Sequence, residues 1–210
     1  MAWQIIGHEW AVEFLQQSLA TGRVAHAYLF TGLPQIGKRT LAQTLAQALN
    51  CTGSRPPCGQ CRSCQKVEKA THPDVRVIEG EGAGGSIKID QVRAIKREAM
   101  LSPYEGRYRV YILRHVDMAS LEAANSLLKI LEEPPEHVVL VLTAVQPELL
   151  PATVASRCQQ LDLRPVPFAL LESELRSRGH AEPTARLLAR LSGGRVGWAL
   201  DAGKDDAVLG

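Results

Sequence analysis

AYLFTGLPQIGKRT, residues 27–40, is the stretch from which the rest of the chain is read. Ala27–Phe30 make an apolar run of strand length, Gly32 and Gly37 bracket a tight turn, and Lys38 opens a segment with Leu41, Leu45 and Leu49 at helical spacing. Strand, glycine loop and helix are the setting of a P-loop. Its glycines let backbone N–H groups surround a phosphate, its lysine adds a point charge, and the helix N-terminus adds its dipole. The match is incomplete. A full motif puts a magnesium-binding hydroxyl directly after the lysine, whereas Arg39 stands there and Thr40 comes one residue late. The loop reads as built for phosphate and poorly built for magnesium.

Working outward, Glu9–Leu19 carries Val12, Leu15 and Leu19 on one helical face. Val75–Ile78, Arg109–Leu113, Val138–Leu142 and Gln160–Leu163 read as further strands. Between them, Asp90 is expected to cap a helix bearing Val92, Ile95 and Ala99. Leu121–Leu131 is expected to be a helix stopped by Pro134-Pro135, and Gly80–Ser86 a flexible loop. Strands alternating with helices imply a parallel α/β sheet covered on both faces. After Pro165 and Pro167 only helical signals remain: Phe168–Arg178, Pro183–Leu191 and a short piece near Trp198. The expected organisation is an α/β domain over 1–164 with a small helical domain over 165–210. The polar ending DAGKDDAVLG suits a longer protein cut short.

The chain has 210 residues, 45% hydrophobic and 22% charged, the composition of an ordinary globular protein. A net charge of +2 demands neither nucleic acid nor a membrane surface. The opening MAWQIIGHEW lacks the basic and apolar segments of a signal peptide, and no apolar run approaches the roughly 20 residues of a membrane span. A cytoplasmic location without membrane attachment is expected.

Cys58, Cys61 and Cys64 form C-x-x-C-x-x-C, with Cys51 seven residues upstream. Four thiolates complete a tetrahedral zinc site, and Pro56, Pro57 and Gly59 supply the tight turns. Iron–sulfur ligation is the main rival. With no general base nearby, the metal's role is structural.

An ATPase of this type ends its third strand with acidic residues that serve magnesium and water. Arg114 and His115 occupy those positions in RVYILRHVDMAS, and Asp117 comes two residues later, expected to point elsewhere. Arg157, in Ser156-Arg157-Cys158, is of the type that reaches a phosphate held by a neighbouring subunit. Arg195, in SGGRVGW, is a similar candidate. His72 in THPD reads as a hydrogen-bonding structural residue, and Lys129, Glu132 and Glu133 as the polar face of their helix.

Together these pieces resemble bacterial clamp-loader subunits of the AAA+ class. HAYLFTG, the cysteine excursion, THPD, NSLLKILEEPPEH and SRC occur in the family's order, from about Val24 to Trp198. The resemblance implies an AAA+ P-loop-type five-stranded parallel sheet, a zinc knuckle at 51–64, a helical lid, and a missing third, collar domain. It implies a component of the DNA polymerase III holoenzyme. The losses at Arg39 and Arg114-His115, with Ala144-Val145 where the motors' threonine sensor falls, resemble the delta prime branch rather than the gamma/tau motors. On that resemblance Arg157 is an arginine finger acting in trans. Gly32, Gly37, Lys38, Thr40 and Arg195 form a degenerate nucleotide site with doubtful ATP binding. Zinc sits on Cys51, Cys58, Cys61 and Cys64. The implied partners are the gamma/tau and delta subunits and, through the complex, the sliding clamp and primer-template DNA. Two other functions stand beside this one. One is an autonomous ATPase in which Thr40 and Asp117 serve magnesium. The other is a zinc-bearing DNA-binding module using Arg55, Arg62, Lys66 and Lys69.

Overall fold

A computed structural model describes residues 3–81 and 85–204. Part of the expected Gly80–Ser86 loop (82–84) and of the DAGKDDAVLG ending (205–210) lies outside the described residues. The elements run α1 (Glu9–Ala20), β1 (Ala27–Thr31), α2 (Lys38–Asn50), α3 (Arg62–Glu68), β2 (Val75–Ile78), α4 (Ile89–Ala99), β3 (Arg109–Leu113) and α5 (Leu121–Glu132). They continue with β4 (Val138–Thr143), α6 (Ala152–Ala155), β5 (Gln159–Asp162), α7 (Phe168–Ser177), α8 (Glu182–Ser192) and α9 (Val196–Ala202). The five strands pair in the order β2-β3-β4-β1-β5, every neighbour parallel.

Strand alternation divides the core in two. Leu29, Tyr111, Leu113, Leu140 and Leu142 point to one face, against Val92 and Ile95 of α4 and Leu127, Ile130 and Leu131 of α5. Tyr28, Phe30, Val110, Ile112, Val139 and Val141 point to the other, against Leu15 of α1 and Leu41, Leu45 and Leu49 of α2. All six residues of β4 are buried, which is why its sequence is an unbroken apolar run rather than an alternating one. A third cluster joins Leu171 and Leu175 of α7, Leu188 of α8 and Ala199 of α9 to Val166. Among the described residues, no helix is long and apolar enough to cross a membrane.

The elements differ from the sequence expectation in instructive places. Lys88, not Asp90, is the N-cap of α4, and its backbone N–H donates to the Gln91 side chain at 2.9 Å. Asp90 instead sits in the first turn, where its charge suits the helix dipole. β5 begins one residue earlier than expected, at Gln159. Inside the cysteine excursion, α3 forms because the Cys61 sulfur accepts from the Cys64 N–H and so caps the helix. α2 ends on a buried Asn50, whose side chain donates to the Tyr108 carbonyl at 3.0 Å and accepts from the Tyr108 N–H at 2.9 Å.

Candidate functional site

The carboxyl ends of β1, β3 and β4 open onto one cavity of about 460 Å³. Pro34, Gln35, Gly37, Lys38, Arg39 and Thr40 line it from the glycine loop, Arg114, His115 and Thr143 from the strand ends, and Gly197, Leu200, Asp201 and Lys204 from around α9. Carboxyl strand ends beside a reversal of strand order are where open α/β sheets hold ligands.

The loop reaches its shape through Gly32 at φ 132°, Gln35 at φ 59° and Gly37 at φ 116°. Gly32 also passes too close to the Leu163 carbonyl for any Cβ, which would lie 2.4 Å from that oxygen. The loop is closed from both sides. The His8 ring, buried beneath it, hydrogen-bonds the Ile36 carbonyl at 2.9 Å, and the Gly197 N–H of α9 donates to the Gln35 carbonyl at 2.8 Å.

Lys38 is turned inward, 7% exposed. Its ammonium donates to the Gly32 carbonyl and, at 2.8 Å, to the Leu33 carbonyl of its own loop. Burial is the stronger influence and lowers its pKa to about 8, against the opposing field of Asp117. Asp117 thus lies close enough to act on the lysine, although its Oδ2 accepts from the Val145 and Gln146 N–H groups at 3.0 and 2.9 Å. Among the described residues its buried Oδ1 has no hydrogen-bond partner. The positions expected to carry magnesium-serving carboxylates present Arg114, paired with Glu79, and His115 in a left-handed conformation at φ 54°. The His115 N–H donates to the buried Thr143 hydroxyl at 3.2 Å. Arg39 and Arg114 thus bring positive charge, and Asp201 negative charge, to the wall of this cavity.

Gly37, Lys38 and Thr40 line the cavity and Arg195 does not. The Arg195 Nε donates to the Ser192 carbonyl at 2.7 Å, and its guanidinium carbon stands 5.7 Å from the centre of the Trp198 ring. Arg157 lies away from the cavity on the outer surface. Its Nη1 donates to the Thr153 carbonyl at 2.8 Å, and its Nη2 pairs with Glu132 at 2.9 Å.

Folding gathers Cys51, Cys58, Cys61 and Cys64, whose sulfurs all lie within 4.8 Å of one another, Cys51 to Cys61 at 3.9 Å. Zinc–sulfur bonds of about 2.3 Å in a tetrahedron need sulfurs about 3.8 Å apart, so the residues fit such a metal. Backbone N–H groups point at the sulfurs: Gly53 and Cys58 at Cys51, Cys61 at Cys58, and Cys64 at Cys61, at 3.3–3.4 Å. Burial pushes the Cys51 and Cys64 thiols up. The Gln60 and Cys61 N–H groups pull Cys58 down. At Cys61 burial opposes, but hydrogen bonds from Cys64 and Thr52 outweigh it and lower the pKa to about 6. The four residues can hold a metal ion.

His72 is buried, contacts the Ser63 hydroxyl at 3.1 Å and accepts from the Asp74 N–H at 3.1 Å, a structural arrangement. Asp74, the last residue of THPD, accepts from the Tyr104, Glu105 and Gly106 N–H groups at 2.6–2.8 Å. Burial would raise its carboxyl, but these three bonds and Arg109 hold it below the usual range. Lys66 is committed to Glu105 at 2.6 Å, which thins the basic surface beside the knuckle.

A family model described as DNA polymerase III, delta subunit, matches residues 7–167. DNA polymerase III subunit delta' of Bacillus subtilis (strain 168) is 36% identical over 196 residues, covering 93% of this chain and 59% of that protein. DNA polymerase III subunit tau of Escherichia coli (strain K12) is 37% identical over 204 residues, covering 93% of this chain and 31% of that protein. The chain spans less than two thirds of either relative. Among solved structures, a DNA polymerase III gamma subunit-related protein from Thermotoga maritima aligns with a TM-score of 0.57 at 24% identity, over 90% of this chain and 60% of that one. A RuvB P216G mutant from Thermotoga maritima aligns at 0.65 and 19% identity, over 96% of this chain and 62% of that one. These two likenesses bear on the fold. By the family match the chain belongs to the DNA polymerase III delta subunit family, among the AAA+ clamp-loader subunits.

Proposed function

We propose that this chain is the delta prime subunit of a DNA polymerase III clamp loader, a cytoplasmic AAA+ subunit that hydrolyses no ATP itself. Residues 1–164 form its P-loop-like domain and 165–210 its lid. The observation that carries this reading is the cavity at the glycine loop. Lys38 is bonded to its own loop, Arg39 replaces the magnesium hydroxyl, and Arg114 and His115 replace the acidic pair. With Arg114 and His115 in place of the carboxylates that usually follow the third strand, phosphoryl transfer lacks its usual acidic pair there, and Asp201 is the carboxylate that lines the cavity from the α9 side. Arg157 stands outside, available to ATP held by an adjacent gamma/tau subunit. The delta subunit, the sliding clamp and primer-template DNA complete the assembly. Zinc on Cys51, Cys58, Cys61 and Cys64 fixes the knuckle structurally.

Arg157→Ala in a reconstituted clamp loader tests this. The variant subunit is expected to fold and assemble, and ATP turnover at the adjacent site to fall by about 10³-fold or more. Wild-type clamp loading by that variant would overturn it. One observation favours the gamma/tau-like motor as a second reading: Asp117 has an unpartnered buried oxygen and acts on Lys38. Magnesium-dependent turnover by this subunit alone, lost in Asp117→Asn, would establish it.

A further inference from the structure

LLKILEEPP and SRC are separated in sequence, and folding sets them side by side. Val154 and Ala155 of α6 pack into the same core as Ile130 and Leu131 of α5. Cys158 packs against that core too, and its thiol donates to the Val154 carbonyl at 3.3 Å. Burial pushes this thiol's pKa to about 12, so it remains a neutral anchor. Arg157 is thereby held between a buried Val154 and a packed Cys158 while its own side chain is 36% exposed. The Glu132 carboxylate, on the last residue of α5, meets Nη2, and the Thr153 carbonyl meets Nη1. A hydrogen bond from α6 and an ion pair from α5 thus hold the guanidinium from two different elements. Among the described residues its Nε has no partner.

We infer that Glu132 is a positioning residue for Arg157. It holds the fork pre-aimed outward, with its remaining N–H groups free for phosphate oxygens. The inference rests on the reading of Arg157 as an arginine offered to a neighbouring ATP. A free arginine side chain must lose rotamer freedom when it meets phosphate, and holding it beforehand removes part of that loss. The pair is also weak enough to yield. Glu132 is 48% exposed, and partly exposed pairs are screened and modest. A phosphate can then draw the guanidinium without a large opposing force.

The test measures ATP turnover against ATP concentration by a clamp loader reconstituted with the full-length subunit. The subunits compared are wild type, Glu132→Ala, Glu132→Gln, Arg157→Ala and the Glu132→Ala/Arg157→Ala double variant. Glu132→Ala is expected to lower kcat by about threefold to tenfold and to leave KM for ATP within about twofold. Glu132→Gln, which keeps the shape but not the charge of the partner, is expected to recover part of the loss. In the Arg157→Ala background the Glu132 change is expected to add nothing, because the two act as one unit. If Arg157→Ala turns over ATP like wild type, the arginine reading fails and this inference falls with it. If Arg157→Ala is impaired, three results overturn the inference alone: Glu132→Ala at wild-type rate, Glu132→Ala faster than wild type, or the same fractional loss with and without Arg157.

Discussion

The two ends of α2 contrast sharply. At its N-terminus the glycine loop keeps the backbone of a phosphate cradle, yet its lysine is bonded to its own carbonyls, and Arg39 and Arg114 line the cavity in front of it. At its C-terminus, Cys51 starts a cluster in which four sulfurs lie within bonding reach of one ion and each of three receives backbone N–H donors. One end keeps a phosphate-cradling loop with altered residues around it. The other gathers four thiols that could hold a metal ion. Packing maintains the loop's shape: a Cβ at Gly32 would meet the Leu163 carbonyl and one at Gly197 the Gln35 carbonyl.

The largest expected effect breaks the C-terminal end. Cys64→Ser, or chelation, should remove about one equivalent of zinc and lower Tm by roughly 10 °C, because a structural metal's binding energy is folding energy. Elemental analysis beside thermal unfolding checks this. Well under one equivalent in freshly purified wild type would leave the knuckle without the assigned metal.

The next separates the lid from the loop. A Cβ at Gly197 would meet the Gln35 carbonyl oxygen at 2.9 Å, and α9 could no longer lie on the P-loop. Gly197→Val should cost about 1–3 kcal/mol, typical of overpacking. Denaturant unfolding gives the number, and an unchanged midpoint would mean that the lid does not bear on the loop.

A third effect is read against pH and concerns Lys38. Its folded pKa of about 8 lies below the usual 10.5, so between those values the unfolded chain binds more protons and stability rises with pH. Lys38→Met removes that contribution. The stability difference, wild type minus variant, should therefore shift in favour of wild type between pH 8 and pH 10.5. A pH-independent difference would show that the ammonium is not buried as described.

Much of the fold was legible because burial writes itself into sequence. The apolar runs at 27–30, 109–113 and 138–142 are strands covered on both faces, and residue spacing exposed the cysteine cluster directly. What escaped depends on distant partners. α3 has no apolar period and exists through a sulfur cap. Asp117 was expected to point away, but the turn after β3 brings it to the β4 end and the field of Lys38. The inward pose of Lys38 depends on carbonyls, which have no residue code. Arg195 has the right type and region, but its side chain is held by Ser192 and Trp198. Glu132 read as a polar helix face until α6 set Arg157 beside it.

The most direct measurement is ATP hydrolysis by this subunit alone, with and without magnesium, beside Lys38→Ala. A P-loop that keeps its shape without metal-serving groups predicts no turnover above background in either case. Magnesium-dependent turnover abolished by Lys38→Ala would contradict it and make the N-terminal end of α2 a working motor site.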